Sequence, residues 1–352
     1  MKNWHTILLT FCFLSCVEEI EFSSADQTVT LVIDCTLSTG SDTQLVKIFR
    51  TSKVGQQVFS SVEGATVVLF DQEGQSETAV YAGNGNYRFG EKKVPVIIGG
   101  SYYIEIETSN GNKYVSDIET ILPVPEIDSL SFSFSIEQIV ERENRILERS
   151  FFNLSVHTTL PENVTNTFLK WDVEHIFLVS EIQCHPLHLV KSCYVNRPIN
   201  RNEVYLLDAS TLNGGALYSE QVTHQEMDFA FGQAASFYVS QKSLSPFAAK
   251  YWSQVEQVVN NTGTIFDIPP AAIRGNLRSL SDPEEQVLGL FSAVDENNEL
   301  VIITRGDLGT RFSRLPLCGL PGLPPSNIDQ NACCSCTSIE NSSVTRPDYW
   351  PP

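Results

Sequence analysis

Two cysteines and two histidines crowd one short stretch, Cys184-His185-Pro186-Leu187-His188 with Cys193. Thiolate and imidazole at such spacing are the donors a zinc site uses. The same residues also make a disulfide loop with two solvent-facing histidines, and that is the preferred reading outside the cytoplasm. Cys318, Cys333, Cys334 and Cys336 form a second cluster. It lacks the paired Cys-x-x-Cys knuckles of common zinc ribbons, so disulfide staples are expected there and no metal. A third chemistry lies at Phe13-Leu14-Ser15-Cys16. A branched apolar residue, a small residue and then Cys is the pattern of a lipobox, whose thiol receives lipid.

Catalytic patterns find little support. The chain holds no Gly-x-Ser-x-Gly elbow. His157, His175 and His224 lie far apart in sequence. Acidic neighbours such as Glu284-Glu285 and Asp295-Glu296 read as solvated loop residues, whereas glycoside hydrolysis needs two carboxylates about 5–10 Å apart across a cleft. The Gly83-Asn84-Gly85-Asn86 stretch reads as a turn and not as a phosphate loop. No catalytic residue and no cofactor is expected, and the chain reads as non-enzymatic. A hydrolase assembled from distant residues is the least favoured alternative.

The address is better marked than the chemistry. Residues 1–15 carry Lys2 and an apolar stretch from Ile7 to Leu14. That stretch is too short to span a bilayer, which needs about 20 apolar residues. It reads as an export signal, with Cys16 as the lipidated mature start and residues 16–27 as an acidic tether. Several acyl chains would anchor stably where one would not. The formal charge is −19, and loss of Lys2 with the signal makes it −20. Such a balance argues against nucleic acid and against adsorption to anionic lipid.

Nine cysteines are present. Cys12 leaves with the signal and Cys16 carries lipid. Cys35 sits in an apolar strand and is expected as a buried free thiol. The remaining six are expected to pair, and sequence does not choose among their connectivities. Cys184 with Cys193 is the first choice, while Cys333 and Cys334 are not expected to bond each other.

The elements that position these residues read as mainly β. From Thr28 to Ser116 short alternating strands are separated by Asp71–Gly74, Gly83–Asn86, Gly99-Gly100 and Asn110-Gly111. Asn-Gly between alternating runs signals a hairpin, and the whole predicts a β-sandwich over 28–121. Leu122-Pro-Val-Pro125 reads as a stiff extended linker. A second β-rich domain is expected over 126–316. Its first strand places Leu130, Phe132, Phe134 and Ile136 on one face with serines between. One amphipathic helix is expected near 246–260. Ser245 would be its N-cap and Pro246 its first residue. Phe247, Tyr251, Val255, Val258 and Val259 would be a core-facing stripe. Trp171 and Trp252 are expected in the core, with Tyr349 and Trp350 exposed. Residues 317–352 read as an irregular Cys/Pro-rich tail.

Gly64-Ala65-Thr66-Val67, Asp71 to Gly74, Gly85-Asn86-Tyr87 and Tyr102 to Ile106 together resemble the carboxypeptidase-regulatory-like or transthyretin-like sandwich, an Ig-like fold without activity of its own. Further pieces are spread along the chain. They are Cys16 with Val17-Glu18-Glu19-Ile20-Glu21, Pro125 to Leu130, Gln241 to Ser245, Tyr251-Trp252, Gly263 to Asp267 with Pro269-Pro270, Arg274 to Leu277, Leu288 to Ala293 and Arg346 to Trp350. In this order they resemble a family of Bacteroidota outer-membrane lipoproteins labelled as a domain of unknown function. The Cys333-Cys334 doublet departs from the spaced cysteines expected there. The resemblance implies a lipid-anchored protein of the outer membrane facing the cell exterior. It would be accessory to a TonB-dependent outer-membrane barrel in ligand capture or uptake. A structural or adhesive surface role is the alternative.

Overall fold

The computed structural model describes residues 29–52, 59–141, 145–187, 189–199, 203–260, 273–314, 316–318 and 330–350. Cys16 and the tether lie outside these residues. The chain is mainly β, with several sheets.

Alternation of apolar and polar side chains builds the first body, because successive residues of a strand point to opposite faces. One sheet runs Val287–Val294, Leu31–Ser38, Gln44–Arg50, Asn86–Phe89 and Val80–Gly83. The facing sheet runs Leu277–Ser279, Lys113–Ser116, Ser101–Glu107, Thr66–Asp71 and Ser76–Thr78. Leu31, Ile33, Cys35 and Leu37 meet Val67, Leu69, Ile104 and Ile106 in a shared core. Cys35 is a buried free thiol, as expected. Asn84 and Gly85 both take positive φ (51° and 73°), as a two-residue hairpin turn requires. A Cβ on Gly85 would lie 2.4 Å from the Ile48 carbonyl oxygen.

The domain boundaries need one correction. The 126–316 stretch is not one unit, because Leu277–Ser279 and Val287–Val294 are strands of the first sandwich. Val287–Val294 pairs in parallel with Leu31–Ser38, from Leu31↔Val287 to Ser38↔Val294. It is apolar on both faces: Phe291 and Ala293 join the sandwich core, while Leu290 and Val294 form a separate cluster. A doubly buried run of this kind gives no period-two signal that would assign it to either neighbour.

The second body packs a three-stranded sheet (Ile127–Glu141, Arg145–Thr159, Leu217–Glu226) against a larger one. The larger sheet runs Glu296–Thr304, Ala234–Ser243, Phe168–Ser180, Ser192–Pro198 and Ser342–Ser343, with Tyr205–Asp208 also paired to Phe168–Ser180. Phe152, Leu154, Trp171, Phe177, Phe231 and Phe237 fill the space between. The face of Leu130, Phe132, Phe134 and Ile136 is only partly covered; Phe134 stacks on Phe312 at 5.2 Å between centroids. Three helices are described: α1 (Pro246–Asn260), α2 (Arg305–Phe312) and α3 (Gln330–Cys334). The last two depart from the expectation of one helix. In α2, the Asp307 carboxylate accepts the Thr304 N–H and hydroxyl, a cap that Gly306 and Gly309 obscure in sequence.

The two bodies are joined by polar contacts. Asp295 lies between strands Val287–Val294 and Glu296–Thr304. Its carboxylate accepts the Val124 N–H at 2.9 Å and the Thr39 hydroxyl. Gln241 donates to the Pro125 carbonyl at 2.7 Å and accepts the Trp171 indole N–H at 2.8 Å. The Ile127 N–H donates to Asn297. The proline linker is therefore held along its length, and the Asp295-Glu296 pair is a joint where solvated loop residues were expected.

The tail is cross-linked. The disulfides are Cys184–Cys334, Cys193–Cys336 and Cys318–Cys333. Cys184 does not bond Cys193. Cys193 faces the interior from a strand in register with Val179, whereas Cys184 stands exposed beyond the strand end. The buried Glu181 carboxylate accepts the Cys336 and Lys191 N–H groups, each at 2.9 Å. Trp350 is buried, edge-on to Tyr194 at 5.1 Å, and Tyr349 stacks on Tyr238. The expected exposure of Trp350 is therefore corrected.

Candidate functional site

The helix α1 begins where the sequence places it. The Ser245 hydroxyl accepts the Ala248 N–H at 3.1 Å, and Pro246 needs no hydrogen-bond partner for its nitrogen. Ala248 is the helix's seat: with Leu244 it packs on Leu290 and Val294, and Phe168, Leu206 and Trp252 close around them. The expected core stripe is only partly buried. Phe247 is 39% exposed, and Tyr251, Val255, Val258 and Val259 are half-buried.

Phe247 and Tyr251 instead wall a cavity of about 310 Å³, together with Lys250, Gln254, Arg274 and Gly275. Positions 247, 250, 251 and 254 are neighbours on one helical face. The opposite wall is held rigidly. A Cβ on Gly275 would lie 1.6 Å from the Gly289 carbonyl oxygen, so only glycine fits there. The next residue, Asn276, donates to the Phe291 carbonyl at 2.7 Å and accepts the Phe291 N–H at 2.9 Å. It also donates to the buried Glu119, whose carboxyl is pushed upward by burial. Arg274 thus leaves a fixed segment of backbone.

A second cavity, about 350 Å³, lies on another flank of α1. Phe168, Leu206, Asp208, Ala249, Lys250 and Glu256 contribute to its lining. Beside it Lys170 sits 4.6 Å from the centre of the Trp252 ring. Lys170 and Lys242 both contact the Asp172 carboxylate. Burial opposes ionisation of Asp172, but the two lysines outweigh it and hold the group at about 2. Burial pushes Lys170 downward. Two lysines thus share one carboxylate, and the charge of Asp34 also favours the charged form of Lys170. A third cavity, about 280 Å³, lies in the first sandwich beside Glu77. There the carboxylate is consumed by the N–H groups of Gly90, Glu91 and Lys93 at 2.9 Å each.

The histidines are not brought together. His157 bonds Ser131 at 2.7 Å, and His224 bonds Asn153 at 2.7 Å and stacks on Phe151. His175 is fully buried among Phe177, Phe231 and Phe237, with no partner for either ring nitrogen among the described residues. Burial, aided by Arg197, lowers it to about 3. His188 lies outside the described residues. Among the described residues no group of three or more His, Cys, Asp or Glu is placed to hold a metal. The sequence reading missed Lys250 and Arg274. A cation at the helix position between two apolar ones was the available signal, but nothing in sequence places Arg274 opposite it.

A family model described as a domain of unknown function (DUF4249) matches residues 17–299. The chain belongs to this family. No curated protein matches it. Among solved structures, "Biofilm associated protein - B domain" aligns at 5% identity over 77% of this chain and 85% of that one, with a TM-score of 0.16. A likeness that weak supports no argument.

Proposed function

We propose that the chain is a surface-exposed lipoprotein of the outer membrane that assists a TonB-dependent transporter in ligand capture, without catalysing a reaction. Lipid on Cys16 would hold it, and the acidic residues after Cys16 favour display outside the cell. The first body, with the motif pattern of a transthyretin-like module, would serve as spacer and the second as docking body. The observation that carries the capture role is the pair of cavities flanking α1, whose described lining residues include apolar, amide and charged groups. The three disulfides suit an oxidising location. The test is co-purification of the tagged full chain from solubilised membranes. An outer-membrane barrel is expected in stoichiometric amount, and recovery of none overturns the transporter role. The cross-linked tail gives some support to a structural or adhesive role. Deletion that changes attachment and leaves growth on every nutrient intact would favour that reading.

A further inference from the structure

We infer that the cavity between α1 and Arg274 is a binding site for a small organic anion with one ring or a short apolar body, a carboxylate in the first instance. The inference rests on the capture reading above and gives it a ligand class. In a chain with formal charge −19 the described residues lining this cavity include no carboxylate, yet two cations, Lys250 and Arg274, face it. Neither cation makes an ion pair among the described residues, so both are free to meet a ligand. An unpartnered guanidinium on a fixed backbone presents the planar fork that matches a carboxylate in two parallel hydrogen bonds. Gly275 and Asn276 fix the backbone from which the guanidinium extends, so only side chains need ordering when the anion arrives.

The rest of the lining sets the body of the ligand. Phe247 offers an exposed ring and Tyr251 a half-buried one, and Gln254 adds an amide one turn on. The volume, about 310 Å³, is at the low end of the usual range of roughly 300–1,000 Å³ for small-molecule pockets. It suits one ring with a short acid arm and is too large for an inorganic anion alone. The neighbouring cavity shares Lys250 but also carries Asp208 and Glu256. Those carboxylates would repel an anion, so the Arg274 side is where it binds.

The test is calorimetric titration of the purified full chain carrying Cys16→Ala, with phenylacetate as probe. Saturable one-to-one binding is expected. Arg274→Met and Lys250→Met should each weaken it at least tenfold, and Arg274→Lys less than Arg274→Met. Phenylacetamide, which keeps the ring and loses the charge, should bind at least tenfold more weakly, as should acetate, which keeps only the charge. Both cations are exposed, so unfolding midpoints of the variants should match the parent. Absence of saturable binding overturns the proposal. So does equal binding of the amide, or binding indifferent to both substitutions. The titration needs no transporter and the co-purification needs no ligand, so either result can fail while the other stands.

Discussion

The two bodies solve the same problem by different means. The first sandwich has no cross-link; Cys35 is its one cysteine and is free. Strands far apart in the chain close it, with Val287–Val294 lying beside Leu31–Ser38. Its irregular segments are tied by side chains, as Glu77 ties Gly90 to Lys93. The second body ends in a tail with little regular structure, and there three disulfides do the fastening. Where a segment can join a sheet, hydrogen bonds and burial suffice. Where little of it does, as in the tail with Ser342–Ser343 paired, covalent bonds restrict the chain instead.

The comparison breaks first at Gly289. It has φ +99°, and a Cβ would lie 1.9 Å from the Ile33 carbonyl oxygen in the paired strand. Gly289→Ala must therefore part the strands that close the first sandwich. A loss of about 4 kcal/mol or more is expected in urea unfolding, at the level of a disrupted fold. Gly74→Ala is the control. Its φ is also positive, but its Cβ would meet nothing within 4 Å, so about 1–2 kcal/mol is expected from backbone strain alone. Equal losses at the two sites would show that the close approach of the strands is not what fixes Gly289.

The covalent side is tested next by Cys193→Ser with Cys336→Ser. This disulfide spans 143 residues, and its removal should cost about 2–4 kcal/mol. Amide exchange should locate the effect. Protection should fall at residues 330–350 and persist in strand Ser101–Glu107. Loss of protection in both places at once would mean the joint at Asp295 and Gln241 makes one cooperative unit of the two bodies.

A smaller effect is expected from His175. Its folded value, about 3, lies below the ordinary 6.5, so the unfolded chain takes up the proton first. Stability contributed by the neutral ring is complete above pH 6.5 and is lost as pH falls toward 3. The loss due to this group should be about 1.4 kcal/mol by pH 5.5. His175→Phe should flatten that slope. It should also raise stability near pH 7 by about 1 kcal/mol, because two buried nitrogens without partners are removed. An unchanged pH slope in the variant would show that water or a rearrangement already satisfies the ring.

Strand content, helix α1, its cap and the buried free thiol were legible because each rests on local signals: period-two alternation, Ser-Pro at a helix start, an apolar strand around Cys35. Which strands share a sheet was not. Leu288 to Ala293 is apolar on both faces, so its pattern cannot say that it belongs with Leu31–Ser38. Disulfide connectivity failed for the same reason, since Cys193 reaches Cys336 only once the tail has crossed the sheet. The residues that carry the family resemblance, Gln241 to Ser245, Arg274 to Leu277 and Leu288 to Ala293, are scattered in sequence and meet at the joint and beside α1. Their spacing could not reveal the cavity, because Lys250 and Arg274 come together through Gly275, Gly289 and Asn276 and not through any local period.

The mildest test sharpens the hydrogen-bonded side of the comparison. The Tyr87 hydroxyl donates to the Val62 carbonyl at 2.9 Å and accepts the Ala65 N–H at 3.0 Å. The ring itself is buried in the sandwich core. Tyr87 therefore holds the entry to strand Thr66–Asp71 from strand Asn86–Phe89, which explains why a Gly-Ala strand start and a Gly-x-Tyr strand occur in one motif. Tyr87→Phe keeps the ring and deletes both hydrogen bonds. The segment is only part-buried, so water can replace part of what is lost, and about 1 kcal/mol is expected in urea unfolding. Exchange at the Ala65 amide should rise while the amides of strand Ser101–Glu107 stay protected. A loss near zero would mean that burial of the ring alone fastens the strand, and the contrast with the cross-linked tail would then be between packing and covalent bonds, with side-chain hydrogen bonds playing no part.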